Sequence, residues 1–254
     1  MTTELVHRVR QGPLCTLTLD SPHNANALSA QLLDELADGL ADASADAGVR
    51  VIVLTATGKA FCSGADLTAP PTTIASRMPE VLETIRSAPV PVIARVGGPA
   101  RAGGLGLIAT ADLAVASAPC TFAFSEVRVG VAPAMILVPS LRVADRRFLS
   151  RAVLTGEPFG AAEAAAAGLL TAVVDDEGAL DAWVDRAVAA ISRGAPGAVS
   201  ATKALLAELA EVPWSEGLSL ARTRSAALFA GPEAAEGMDA FLHKRTPSWA
   251  DAAP

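Results

Sequence analysis

Two glycine-bearing turns and one isolated acid are the residues of this chain best suited to chemistry. The first turn, Gly58-Lys59-Ala60-Phe61-Cys62-Ser63-Gly64-Ala65-Asp66-Leu67, follows the apolar run Val51 to Leu54. The second, Gly97-Gly98-Pro99-Ala100-Arg101-Ala102-Gly103-Gly104-Leu105-Gly106, follows the apolar run Pro91 to Val96. Two strands that each end in such a turn can point free backbone N–H groups at one oxygen, the arrangement of an oxyanion hole. Gly103-Gly104 open a predicted helix, whose dipole adds to the field at that point. Either cluster alone would equally serve a tight turn, since glycine adopts positive φ without steric cost. Glu126 is the only acid between Asp112 and Asp145, and it stands between Phe122-Ala123-Phe124-Ser125 and Val127. A carboxyl desolvated in this way keeps its proton to higher pH, which suits a group that takes and returns a proton near neutrality.

The other reactive side chains carry blander expectations. Asp112 begins an apolar strand and should satisfy backbone donors in the core. Cys62 has no His beside it in sequence, so a packed thiol is expected rather than a nucleophile. Ser63-Gly64 lacks the leading glycine of a nucleophile elbow. His23 sits in a loop where it can be solvated or meet a phosphate. Cys15, Cys62 and Cys120 are odd in number and widely spaced, which fits reduced thiols better than a disulfide framework. His7, His23 and His243 lie far apart, so no metal site is expected.

Several elements must hold these turns in place. Leu5 to Val9 and Leu14 to Asp20 read as a hairpin across Gln11-Gly12-Pro13. Ser29 reads as the N-cap of a helix carrying Leu32, Leu33, Leu36 and Leu40 at helical spacing. Arg50 to Thr55, Pro91 to Val96 and Leu113 to Ala116 are short continuous apolar runs of the kind buried on both faces of a parallel sheet. Alternating with helical segments, they give the pattern of an α/β domain. Beyond Pro139 the chain reads as helices over 143–154, 161–167, 180–191, 198–210, 215–229 and 233–243, with one strand at Leu169 to Val174. The division expected is a core over 1–190 and a helical region over 191–254.

With 254 residues, 51% of them hydrophobic and 19% charged, the chain is a globular protein with one large core. Aromatics are 4% with no Tyr, and 20 basic against 27 acidic residues leave a net charge of −7, which argues against a nucleic-acid partner. Charges interrupt every apolar stretch before it reaches the roughly 18 residues of a membrane span. Met1 to Arg10 has no apolar core of a signal peptide, and a cytoplasmic location is expected.

Read in order, the two turns, Pro22 and Asn26-Ala27-Leu28-Ser29 before them, Ala111-Asp112 and Ser125-Glu126 after them, and Gly237-Met238-Asp239-Ala240-Phe241 near the end resemble the enoyl-CoA hydratase/isomerase (crotonase) superfamily. Several spaced motifs in the correct sequence make this a specific signal. The resemblance implies an α/β, crotonase-like spiral of β-β-α units, a helical C-terminal region that mediates homotrimers or dimers of trimers, a coenzyme A thioester substrate, and no metal or redox cofactor. It implies the N–H groups of Ala65 and Gly103 as the oxyanion hole and Glu126 as the catalytic acid–base. It also implies Asn26, Ala27, Gly64, Asp66 and Leu67 along the coenzyme A path, with Phe241 and Lys244 near its nucleotide end. Positions 68–76 and 134–138, with Ala69, Pro70, Pro71, Ala134, Met135 and Ile136, should border the acyl pocket.

One departure stands out. Hydratases of this superfamily carry a first Glu three residues beyond the oxyanion-hole glycine, where this chain has Gly106. Three functions follow: a hydratase (a lyase) adding water to a 2-enoyl-CoA, placed narrowly first; an isomerase moving the double bond from position 3 to 2 with one carboxylate; and an acyl-CoA-binding protein without turnover.

Overall fold

Residues 3–68, 70 and 72–250 are described by a computed structural model. In chain order their elements are β1 (Val6–Gln11), β2 (Leu14–Leu19), α1 (Ala30–Ala45), β3 (Val51–Ala56), α2 (Thr72–Ser87), β4 (Val92–Val96), β5 (Ala100–Arg101), α3 (Gly103–Thr110), β6 (Leu113–Ser117) and β7 (Thr121–Ala123). Next come α4 (Ala134–Val143), α5 (Arg146–Thr155), β8 (Phe159–Gly160), α6 (Ala161–Ala166), β9 (Ala172–Val174), α7 (Glu177–Ser192), α8 (Pro196–Leu209), α9 (Trp214–Phe229) and α10 (Pro232–Leu242).

The continuous apolar runs make the middle of a sheet ordered β1-β2-β3-β4-β6-β9, antiparallel at β1/β2 and parallel elsewhere. Alternate side chains face opposite layers. Ile52, Leu54, Val92 and Ala94 join the main core with Leu32, Leu33, Leu36 and Leu40 of α1, whereas Val51, Val53, Ile93 and Val115 pack on Leu180, Val184 and Val188 of α7. Ser29 caps α1, its hydroxyl accepting from the Leu32 N–H at 3.2 Å. A second, smaller sheet, β5-β7-β8, stands beside the first and was not foreseen from the sequence, because strands of two or three residues leave no periodic signal.

Three expectations need correction. The helix expected over 143–154 is divided: α4 ends at Val143, and α5 begins at Arg146 because the Asp145 carboxylate caps the Phe148 N–H at 2.9 Å. Pro139 lies inside α4 instead of marking a boundary, as Pro79 lies inside α2. The strand expected over 169–174 shortens to β9.

The division expected at 190/191 falls in the last turn of α7, which is packed on the sheet. The helices beyond it are fastened by Lys203 of α8. Its Nζ lies 2.8 Å from Asp112 Oδ2 and donates to the carbonyls of Ile85 and Val90 at 3.0 and 3.1 Å. Asp112 also accepts the Val92 N–H at 2.7 Å, the core role expected of it. Among the described residues no helix is long and apolar enough to cross a membrane.

Candidate active site

The first turn is shaped by Asn26. This fully buried side chain accepts the Ser21 N–H at 2.7 Å and donates to the carbonyls of Thr57 and Ala60 at 2.9 and 2.8 Å, so it pins the loop after β3 to the loop before α1. Every polar atom of the Asn26 amide thus serves the fold. Beyond it Leu28 and Ala65 form a parallel bridge, in which the Leu28 N–H donates to Gly64 O (2.8 Å) and the Asp66 N–H to Leu28 O (3.2 Å). The bridge bonds run to residues 64 and 66, which leaves the Ala65 N–H outside the bridge.

The second turn is zipped against the first. The Cys62 N–H donates to Pro99 O (3.4 Å) and the Arg101 N–H to Cys62 O (2.8 Å), a parallel bridge between Cys62 and Ala100. Gly64 and Ala102 then meet so closely that a Cβ on Gly64 would lie 2.8 Å from Ala102 Cβ. Gly64 has φ +95, so both its backbone and its neighbour exclude a larger residue. Ala102 itself holds φ 46 and ψ −119, a strained conformation for alanine, and its N–H donates to Ala123 O at 3.0 Å. The residues after this touching pair are Ala65 and Gly103. Gly103 is the first residue of α3, whose first-turn N–H groups have no acceptor within the helix. Among the described residues neither the Ala65 nor the Gly103 N–H has a hydrogen-bond partner. Two unpaired donors, one at a helix N-terminus, can stabilise an oxygen that gains negative charge.

The third group arrives on β7. Phe122 and Phe124 are fully buried and stack on Phe159 at ring distances of 5.8 and 6.2 Å, with Phe148 edge-on to Phe159 at 4.9 Å. This cluster anchors the strand, which is tied through Ala123 O to Ala102. Glu126 follows in a 3-10 turn over Glu126–Val129. Its Oε2 is buried and, among the described residues, has no hydrogen-bond partner. Burial pushes its pKa up, opposed only by a backbone hydrogen bond. A carboxyl left with a free, buried oxygen can exchange a proton with a ligand placed against it.

Position 106 is filled in a way the sequence did not signal. A Cβ on Gly106 would lie 2.6 Å from Ile136 Cγ2, 3.1 Å from Ile136 Cβ and 3.1 Å from Met78 Cε. Both side chains are buried. The space an acid at 106 would need is therefore occupied by apolar groups from α4 and α2.

Other expected site residues are placed as follows. Ala27 is buried, and Leu67 is 77% exposed. Asp66 accepts the Thr68 N–H and hydroxyl at 2.9 and 2.7 Å, which lower its pKa and commit one oxygen to the loop. The Cys62 thiol is fully buried and pushed up to about 12 by desolvation, so it is no thiolate nucleophile. Phe241 is 84% exposed, and Lys244 follows α10 at φ 52. Within one chain α10 packs on α9 and, through Glu233, caps the start of α8; these helices carry none of Ala65, Gly103 or Glu126. Ala69 and Pro71 of the expected acyl border lie outside the described residues. Ala102 is the contributor missed, because alanine carries no signal of positive φ; Ile136, expected at the acyl border, fills the space beside Gly106 through a packing partner remote in sequence.

Known proteins resemble this chain along most of its length. A family model described as Enoyl-CoA hydratase/isomerase matches residues 10–252. The zebrafish (Danio rerio) mitochondrial enoyl-CoA hydratase domain-containing protein 3 is 32% identical over 95% of this chain and 86% of its own length. The 2,3-dehydroadipyl-CoA hydratase of Escherichia coli is 31% identical over 94% of this chain and 96% of its own. Among solved structures, an enoyl-CoA hydratase of Mycobacterium smegmatis superposes with a TM-score of 0.92 at 36% identity, covering 96% of this chain and 98% of the other. The family model and the relatives match along nearly the whole chain, and the chain belongs to the enoyl-CoA hydratase/isomerase family, with the mixed α/β crotonase fold and a helical C-terminal region.

Proposed function

We propose that the protein moves protons on enoyl-CoA thioesters through an enolate, with Glu126 as its single acid–base group and the N–H groups of Ala65 and Gly103 as the oxyanion hole. The observation that carries this is the Oε2 of Glu126, buried and, among the described residues, without a hydrogen-bond partner, on a carboxyl whose pKa burial raises. In a 3-enoyl-CoA, Glu126 takes the proton from C2; the C2–H electrons move into a dienolate whose charge rests on the thioester oxygen. The proton then returns from Glu126 to C4, the double bond settles between C2 and C3, and the carboxylate is regenerated. One oxyanion donor of this kind contributes about 3 to 4 kcal/mol to the transition state.

The apolar filling at Gly106 favours this double-bond shift, because position 106 then offers no carboxylate to orient a water attacking C3. Hydration of a 2-enoyl-CoA, placed first from the sequence, is the second reading; the names of the relatives support it. Buried, free cysteines fit a reducing, cytoplasmic setting. The test is a pair of rates: gain of conjugated thioester absorbance from a 3-enoyl-CoA and its loss from the 2-enoyl form. The shift is expected to be the faster. Glu126→Gln should lower it by about a hundredfold or more while thioester binding persists. Faster hydration would move the second reading to first place, and turnover by the Gln variant within a fewfold of wild type would overturn the role of Glu126.

A further inference from the structure

At the end of the sheet away from the two turns, the β1–β2 hairpin, the loop before β3 and the close of α7 enclose a hollow of about 370 Å³. Its volume is of the size that small-molecule sites take, about 300–1,000 Å³. Arg50 stands at the entry to β3, where its N–H donates to Pro13 O at 2.7 Å; the first oxyanion turn follows the other end of that strand, about 20 Å away. Pro13, Pro196 and Trp249 give the hollow apolar walls, and Arg10, Arg50 and Ser192 give it polar groups. The Trp249 ring is fixed in place: its Nε1–H donates to Arg193 O at 3.2 Å, and a Cβ on Gly237 of α10 would lie 3.1 Å from its Cη2.

Two of the polar groups are unspent. Arg50 Nη2 donates to Gly194 O at 2.5 Å, and among the described residues the guanidinium has no ion pair. Burial disfavours its charge, opposed only by the field of Glu233, whose oxygens are taken by the Gly197 and Ala198 N–H groups at 2.8 and 3.0 Å. Ser192, the last residue of α7, is 1% exposed, and its hydroxyl is buried and, among the described residues, without a hydrogen-bond partner. A polar group in that state is costly unless something pairs with it. Arg10 is engaged: Nη1 meets Asp46 Oδ2 at 2.9 Å and Nε donates to Gly12 O at 3.1 Å, which lays the guanidinium over Gly48, where any Cβ would overlap it. Arg10 is thus matched by Asp46, and Arg50 is matched by no carboxylate in contact. A singly charged anion balances what is left, and the guanidinium fork holds a carboxylate by two parallel bonds. Proline and tryptophan walls do nothing for a bare inorganic ion, whereas an apolar body packed against the indole uses them.

We propose that this hollow binds a small organic carboxylate, its charged end held by Arg50 and the Ser192 hydroxyl and its apolar body by Pro13, Pro196 and Trp249. The site stands apart from Ala65, Gly103 and Glu126, and its existence does not depend on the reaction read from them.

Calorimetry on the intact chain tests this, with benzoate as the probe, benzamide as its uncharged counterpart and inorganic phosphate as the bare ion. Benzoate should bind with a dissociation constant of about 1 mM or tighter, and at least about tenfold more tightly than either of the others. Arg50→Lys keeps a charge and a donor for Gly194 O but loses the fork, and should weaken benzoate about tenfold or more. Ser192→Ala should weaken it about threefold or more and, because it removes an unpaired buried hydroxyl, should raise the melting temperature of the ligand-free protein; a merely structural serine would leave the affinity unchanged. Circular dichroism checks that each variant is folded, and Ser192→Ala keeps the test valid if the change at Arg50 is not tolerated. No binding of benzoate up to about 10 mM, equal binding of benzamide, tighter binding of phosphate, or an affinity that survives in either folded variant overturns the proposal. So does competition between benzoate and butanoyl-CoA, which would place the probe at the oxyanion turns instead.

Discussion

Glu126 ties the chemistry to a cost in stability. Its pKa is raised in the folded chain by desolvation, so the folded state binds more protons than the unfolded one between the ordinary carboxylate value and the raised value. Stability contributed at this site is present at low pH and lost as pH rises through that window. Glu126→Gln, which cannot ionise, should therefore raise the melting temperature at pH 7 and above, with the gain fading as the pH falls below the usual carboxylate range. A variant no more stable than wild type at pH 7 would contradict the burial argument. At Gly106 the balance runs the other way. Glu in place of glycine gains up to about 1 kcal/mol of helix propensity but meets Ile136 at 2.6 Å, and overpacking costs about 1 to 3 kcal/mol. Gly106→Glu alone should lower stability and leave hydration unchanged, whereas Gly106→Glu with Ile136→Ala should recover the loss and raise hydration above that of Ile136→Ala alone. The pair of enoyl-CoA rates and a urea melt on the three variants check this.

Among the elements, α8 is the join between sheet core and C-terminal helices, and Lys203 is its only buried residue. Lys203→Met leaves the Ile85 and Val90 carbonyls and one side of Asp112 without their donor. Asp112 keeps the Val92 N–H and some solvent, so the expected loss is about 1 to 3 kcal/mol in urea unfolding, below the 3 to 5 kcal/mol typical when a fully buried pair is broken. A loss under about half a kcal/mol would show that α8 is held by its apolar contacts alone. These elements also show what the sequence discloses and what it hides. Continuous apolar runs announced β3, β4 and β6, and Ser29 announced α1, because burial on both faces and capping are local matters. The interior prolines of α2 and α4 obscured two helices, since a proline is a stop in sequence but is tolerated where packing holds the helix. The oxyanion turns were legible as glycine clusters, yet their closeness comes from the Cys62–Ala100 bridge and the strained Ala102, neither of which composition reveals. Met78 and Ile136 were hidden for a like reason, each meeting Gly106 only through the packing of α2 and α4 on α3.

At the scale of the whole molecule, one chain leaves unusual apolar surface uncovered. Trp214 and Phe229 of α9 are 82% and 70% exposed, and α9, sixteen residues long, buries none of its residues. A helix held by so little has no tertiary reason to form in a lone chain, since isolated helices of this length are marginal in water. Contiguous exposed apolar side chains mark surfaces that other proteins cover. Identical chains covering one another in a closed ring satisfy this with a single repeated contact, and a homotrimer, or two trimers back to back, is the assembly expected. Light scattering should give three or six chain masses, and Phe229→Asp should shift the protein toward smaller species with loss of helix signal. A monodisperse monomer at micromolar concentration would contradict the assembly. It would also end the expectation for Phe241 of α10 and Lys244 just after it, which in one chain belong to a segment that carries none of Ala65, Gly103 or Glu126 and would reach a ligand site only across a subunit contact.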